Sequence, residues 1–325
     1  VPQRAFGFIP GLCLLDKGTE TFYLSGAAPG VAVFLGAARA SSLVVRRTLL
    51  TETASERVGK KVCKVEIGTE QEKLTMQLNG SQIFVEVLCE QGVDTIFGYP
   101  GGAVLNLYDE LYRNTDRITH VLTAHEQGAS HAADGYARAT GRTGVVLATS
   151  GPGATNLVTG IATAYMDSVP MVAFTGNVTT AGLGSDSFQE AYIEGITMPI
   201  TKHNFTVRRV EDLADTMRAA FRIAQSGRKG PVLVDIPKDI TAAVCEFTPK
   251  KPEPIRTVVT FDEQQVKWAA DIINGAQRPL VYFGGGVRSA ASCQPLRDLL
   301  KKAEIPATHT LMAAGVVPYG DPMNI

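Results

Sequence analysis

The sequence of 325 residues predicts a doubly wound α/β fold, a parallel sheet covered on both faces, followed by part of a second Rossmann-like α/β domain. Three observations carry this expectation. From Met76 onward, unbroken apolar runs such as TGVVLATS, PMVAFTG and GPVLVDIP alternate with segments of helical period. Apolar strands of this kind, separated by helices, are what a sheet buried on both faces requires. Glycine turns close several of the runs, in the place where open α/β sheets collect ligands. Hydrophobic residues make up 45% and charged residues 19%, enough for a core and far from the composition of disordered chains.

The elements follow in order. SQIFVEVLCEQ places Ile83, Val87 and Leu88 on one helical face, with Ser81 as the cap and Gly92 as the stop. TIFG is a strand running into the turn Gly98-Tyr99-Pro100-Gly101-Gly102, and AVLNLYDELYR is the next helix. The strand ITHVLTA leads into HEQGASHAADGYARATG, an alanine-rich helix stopped by Gly141. TGVVLATS, the turn SGPG and the helix TNLVTGIATAYMDS form a third unit, and PMVAFTG opens a fourth whose long loop ends in the strand-like KHNFTVR. The helix VEDLADTMRAAFRIAQSG and the strand GPVLVDIP complete this domain, placed at 76–247. TPKKPEPIRTV carries three prolines without periodicity and reads as a linker, 248–258. The βα texture resumes with FDEQQVKWAADIING, RPLVYFGGG, SAASCQPLRDLLKKA and IPATHTL, giving an incomplete domain at 259–325. Residues 1–75 show no sustained period and are read as an unassigned extension, disordered or not native.

Composition narrows the function. Lys plus Arg number 31 and Asp plus Glu 32, a net charge of −1, which leaves no field to hold nucleic acid. The uncharged stretch Gly26 to Ala38 is too short to span a bilayer, and Asp16 and Glu20 stand where a signal peptide needs basic residues, so no membrane partner is expected. The 5 cysteines are scattered without a C-x-x-C, which suits a reducing, cytoplasmic compartment, or an organelle in a eukaryote. His125 and His131 fall on different helix faces, unlike the i, i+4 pair of a zinc site, and His120, His203 and His309 have no partner spacing, so no metal ligand is assigned.

Glu126 stands at the carboxyl end of a central strand just ahead of a helix, where either ligand chemistry or a helix-dipole carboxylate would put it. The turns at 98–102 and 150–153 end strands on the same edge, so three strand ends present one carboxylate and two backbone approaches to a single crevice. Gly284-Gly285-Gly286 after LVYF suits close approach of backbone N–H groups to a phosphate, or simply a tight βα turn.

From about Ser81 to Lys238 the sequence resembles the pyrimidine-binding domain of thiamine-diphosphate enzymes, and within them the large catalytic subunit of acetohydroxyacid (acetolactate) synthases. The motifs are GVDTIFGYPGGAVL, AHEQGASHAADGYARATG, TSGPGATNLVTGIATAYMDSVPMVAFTG, SFQEAYIEGITMPITKHNF and GPVLVDIPKDI; RPLVYFGGGV and THTLMAAG extend the resemblance into a central FAD-binding domain. The resemblance implies thiamine diphosphate, Mg and FAD as cofactors. It implies decarboxylation of pyruvate and joining of the two-carbon unit to a second 2-oxo acid, on the way to branched-chain amino acids. Glu126 matches the glutamate that bonds N1′ of the aminopyrimidine and shifts its tautomer, so that the 4′ nitrogen takes the C2 proton. Tyr99, Pro100, Gly101, Gly102 and Gly151 match the pyrimidine walls, Gln189 and Phe188 the side chains facing the substrate, and Lys238 the access channel. Arg228, Gly284, Gly285, Gly286, Thr310 and Leu311 match contacts to a structural flavin. A homodimer or tetramer is implied, with a small regulatory subunit as a further partner.

Two departures stand out. Thr179 replaces a channel-wall proline of the family, and no G-D-G followed at the usual distance by N-N occurs, so the diphosphate and Mg ligands are expected in a missing carboxyl-terminal domain and the isolated chain is expected to be inactive. The alternatives are another enzyme of the same cofactor class (catabolic acetolactate synthase, sulfoacetaldehyde acetyltransferase, pyruvate oxidase) or a non-catalytic fragment or assembly module.

Overall fold

A computed structural model describes residues 75–255, 262–288 and 290–325. Except at Thr75, the expectation for the extension at 1–75 lies outside the described residues, as does that for the linker beyond Ile255. The chain runs β1 (Met76–Asn79), α1 (Gly80–Glu90), β2 (Thr95–Gly98), α2 (Leu105–Arg113), β3 (Thr119–Leu122), α3 (Glu126–Thr140), β4 (Gly144–Ala148), α4 (Pro152–Thr155) and α5 (Val158–Met166). It continues through β5 (Met171–Asn177), α6 (Ile193–Thr197), β6 (His203–Thr206), α7 (Val210–Gln225), β7 (Pro231–Pro237), α8 (Lys238–Ala242) and β8 (Val244–Phe247). From residue 262 on come α9 (Glu263–Gly275), β9 (Val281–Phe283), α10 (Ala290–Ala303) and β10 (Ala307–His309).

Six strands form one sheet in the order β3-β2-β4-β5-β7-β6, every neighbouring pair parallel. The unbroken apolar runs are explained by burial on both faces. In β4, Val145 and Leu147 join a core with α1, α2 and α7, while Val146 and Ala148 join a second core with α3 and α5. In the first core the Phe84 and Phe174 rings meet edge to face, their centroids 4.9 Å apart. In the second core α3 lies close to the sheet through Ala129, Ala133 and Ala137, and Gly160 of α5 abuts Ser130. The alanine-rich composition of α3 is thus a packing requirement. Gly141 closes that helix in the left-handed conformation, φ 73°, as the sequence predicts.

Two local expectations are corrected, and one strand pairing is added. Ser81 is not the cap of α1: Asn79 accepts from the Gln82 N–H at 2.9 Å and its own N–H donates to Gln82 Oε1 at 3.0 Å, a reciprocal capping box. Ser81 lies buried in the first turn and donates to the Thr241 carbonyl at 2.9 Å. The single helix expected from Thr155 is two pieces, because winding starts at Pro152 and the Leu157 N–H reaches back to Ala154 O, three residues away, at 3.1 Å. Finally, β1 and β8 pair antiparallel, Met76 opposite Phe247. Such a pairing of short strands distant in sequence leaves no local signal.

Nearer the end of the described residues, β9 and β10 pair in parallel beside α10, over a small core of Phe283, Leu300, Ile305, Ala307, Ala313, Val316 and Val317. Among the described residues no helix is long and apolar enough to cross a membrane, and the three described cysteines, Cys89, Cys245 and Cys293, are free. His120, His203 and His309 lie in β3, β6 and β10.

Candidate active site

Because the six strands are parallel, the segments that follow β2, β3, β4, β5 and β7 all emerge on one edge of the sheet. The connection after β2 turns one way, to β3, and the connection after β4 turns the other, to β5, so the ends of β2 and β4 flank a topological switch point. Around it stand the turn 99–102, Glu126 as the first residue of α3, and the turn 149–151.

Glu126 is 9% exposed. His125, extended at the cap, accepts from the Gln127 N–H at 3.1 Å, leaving the Glu126 side chain free to face the switch point. One carboxylate oxygen, Oε2, accepts from Asn156 Nδ2 at 3.0 Å. The other, Oε1, has no hydrogen-bond partner among the described residues and lies over Gly153, where a Cβ would stand 3.2 Å away. Any side chain at Gly153 would crowd the carboxylate. Gly101 faces Thr149 so closely that a Cβ there would come within 2.5 Å of Thr149 Cβ, and Thr149 Oγ1 accepts from the Ala103 N–H at 3.2 Å, fastening the turn after β2 to the turn after β4. Behind them Tyr108 donates to the Leu147 carbonyl at 3.3 Å, and burial, with the Glu126 charge second, raises its phenol above the ordinary value.

The long segment after β5 is tied down at both ends. Asn177 donates to Asp235 and accepts from the Val178 N–H at 2.8 Å; the Thr180 N–H donates to Asp239 at 2.9 Å. At the far end Gln189 adopts φ 58°, a left-handed conformation rare for a side chain of its size, and its carbonyl sits against Gly151, which is itself at φ 56°. A Cβ on Gly151 would stand 2.5 Å from that carbonyl oxygen. Gly151 therefore joins the turn after β4 to the loop that carries Phe188 and Gln189.

The structure thus brings Tyr99, Pro100, Gly101, Gly102, Glu126 and Gly151 together at one edge, with Phe188 and Gln189 on the adjoining loop. Tyr99, Phe188 and Gln189 are exposed, and Lys238 is exposed as the first residue after β7 on the same edge. A second group forms around β9 and β10: the Thr310 N–H donates to Phe283 O at 3.0 Å, placing Thr310 and Leu311 beside Gly284, Gly285 and Gly286 at the carboxyl ends of these strands. Arg228 joins neither. It precedes β7 and so lies at the opposite edge of the sheet from Glu126, donating to Ser168 Oγ at 2.8 Å and to the Tyr165 and Met166 carbonyls. Sequence reasoning missed Asn156 and Asp235. An asparagine after a glycine turn reads as a cap, and an aspartate inside an apolar strand carries no spacing signal.

Residues 78–196 match the family model described as thiamine pyrophosphate enzyme, N-terminal TPP binding domain, and residues 266–325 match that of the central domain. The chain is 51% identical over 252 residues to an acetolactate synthase of Mycobacterium bovis, covering 77% of this chain and 41% of the relative. Over 240 residues it is 49% identical to the acetolactate synthase isozyme 2 large subunit of Escherichia coli, covering 74% and 43%. Against the mitochondrial acetolactate synthase catalytic subunit of Saccharomyces cerevisiae the identity is 47% over 263 residues, covering 76% and 38%. The chain spans about two-fifths of the length of the curated relatives it matches.

Proposed function

For a chain that belongs to the thiamine pyrophosphate enzymes, with acetolactate synthase large subunits as its relatives, we propose that residues 76–247 are the pyrimidine-binding portion of an acetolactate synthase, acting on pyruvate and a second 2-oxo acid. The observation that carries this is the buried Glu126 carboxylate, with one oxygen held by Asn156 and the other open above a glycine at a switch point. These residues fit the aminopyrimidine of thiamine diphosphate: the glycines keep the cradle open, and Glu126 Oε1 is available to a ring nitrogen.

When bound, that group would supply an acidic carbon and an electron sink for the decarboxylation of a 2-oxo acid. Glu126 would hydrogen-bond the ring nitrogen N1′, and a charge-assisted bond of about 1.5–3 kcal/mol is large enough to move a tautomer balance. Positioned proton transfer of this kind contributes roughly 10²–10⁴ in rate. Tyr99 to Gly102 and Gly151 would wall the pyrimidine, while Gln189, Phe188 and Lys238 would face the substrate and line its approach, beside Thr179.

Among the described residues no group of three or more His, Cys, Asp or Glu could hold a metal ion, so Mg and the diphosphate are assigned to none of them. Gly284 to Gly286 with Thr310 and Leu311 would hold a dinucleotide such as FAD in a structural role; a part for Arg228 in that site rests on the resemblance alone. A cytoplasmic or organellar homodimer or tetramer, with or without a small regulatory subunit, completes the reading.

The test is product analysis with pyruvate, alone and with a second 2-oxo acid, on this chain joined to the remaining carboxyl-terminal portion of a matching acetolactate synthase. Acetolactate is expected. Acetate as the main product, or turnover that requires sulfoacetaldehyde, would overturn the assignment in favour of another enzyme of the class.

A further inference from the structure

Of the two Glu126 oxygens, one is already committed. Asn156 Nδ2 donates to Oε2 at 3.0 Å, and since a carboxylate only accepts, the amide nitrogen must face it. The Asn156 backbone is fixed as well: it closes α4 in right-handed conformation, φ −66° and ψ −15°, with its N–H donating to the Pro152 carbonyl at 3.1 Å. Pro152 and the left-handed Gly151 in turn set the start of that short helix. The amide is therefore delivered to Glu126 by the same turn that walls the crevice. Without it, the carboxylate could rotate about its last torsion, which is broad and roughly two-fold for glutamate.

We propose that Asn156 is the positioning residue of Glu126: its side-chain amide pins Oε2 and thereby selects Oε1, above Gly153, as the oxygen presented to an aminopyrimidine ring. The inference rests on the functional reading above, and concerns which oxygen acts and what orients it. Asn156 itself touches neither ring nor substrate.

The test uses the chain with thiamine as the probe and two variants that separate hydrogen bonding from packing, Asn156→Leu, which keeps the volume without a donor, and Asn156→Ala. In ¹⁵N NMR spectra the Asn156 side-chain amide, assigned by its loss in both variants, is expected at the downfield, exchange-protected position of a donor to a charged oxygen, and to return to a solvent-like position in Glu126→Ala. Thiamine binding, followed by chemical shifts at millimolar concentration, is expected to weaken about tenfold in both Asn156 variants, because the carboxylate is no longer held with Oε1 toward the ring. An Asn156 amide indifferent to Glu126→Ala overturns the inference. So does unchanged thiamine affinity in both variants while Glu126→Ala loses binding, a result that leaves the functional reading standing. Thiamine shifts in the wild-type chain that do not centre on Glu126 overturn the functional reading and the inference together.

Discussion

Replacing Asp235 with asparagine should make the protein's stability less dependent on pH. Asp235 is 2% exposed in the middle of the sheet, facing Thr175 at 2.6 Å and Asn177, and burial, with the Glu194 charge adding to it, pushes its carboxyl from 3.8 up to about 7. Because the folded value is raised, the native state favours the neutral acid. The stability this provides is fully present below 3.8, declines above it, and is lost by the time pH passes about 7. At about 1.4 kcal/mol per unit, the loss attributable to this one group between about pH 5 and pH 8.5 is about 2–3 kcal/mol. Asparagine is close to isosteric with the neutral acid. It can accept from Asn177 and donate to the Thr175 hydroxyl, which rotates to suit, and it does not ionise. Urea unfolding of wild type and Asp235→Asn at both pH values gives the comparison. The gap between them should shift by about 2–3 kcal/mol in favour of the variant as pH rises. A gap that stays constant would refute the reasoning and mean that Asp235 is charged in the folded protein throughout.

Further consequences are equally specific. Gly151→Ala forces a side chain onto a backbone at φ 56° and within 2.5 Å of the Gln189 carbonyl oxygen, so it should cost at least about 2 kcal/mol and expose the 178–192 loop to protease; an unchanged urea midpoint would contradict the close approach. Arg218 holds both Glu90 oxygens at 2.8 Å, with side chains 12% and 9% exposed, so Arg218→Met should cost about 3–5 kcal/mol and the added change Glu90→Leu should restore part of it, as a double-mutant cycle would show. Asn79→Ala should remove about 1 kcal/mol through the lost cap of α1, visible as a lowered urea midpoint; equal stability of Asn79→Ala and wild type would return the capping role to Ser81.

The parallel sheet was legible because a strand buried on both faces has to be apolar throughout, and Val145 to Ala148 alternate between two cores. Glu126 and the glycine turns were legible for a related reason: a parallel sheet sends all its strand ends to one edge, so position along the chain already fixes which side a residue faces. What stayed hidden depends on contacts far apart in sequence. Asn156 reaching Glu126, Asp235 holding Asn177, Gly151 under Gln189 and the β1–β8 pair are each set by tertiary packing. The cap of α1 was misplaced by two residues because Asn79 and Ser81 both favour caps, and only the reciprocal bond to Gln82 decides between them.

The central claim is that Glu126 acts on the proton balance of a bound aminopyrimidine. Its most direct test is hydrogen–deuterium exchange at C2 of thiamine diphosphate, with Mg present and acid quench before NMR, on this chain joined to the carboxyl-terminal portion of a matching acetolactate synthase. Glu126→Gln keeps the size and a hydrogen bond but cannot exchange a proton with N1′. Normal folding, modestly weaker cofactor binding, and C2 exchange and turnover slowed together by about 10²-fold or more are expected. Equal exchange rates in wild type and variant would show that Glu126 is only a carboxylate at a helix start, and the assignment of the active centre would fall with it.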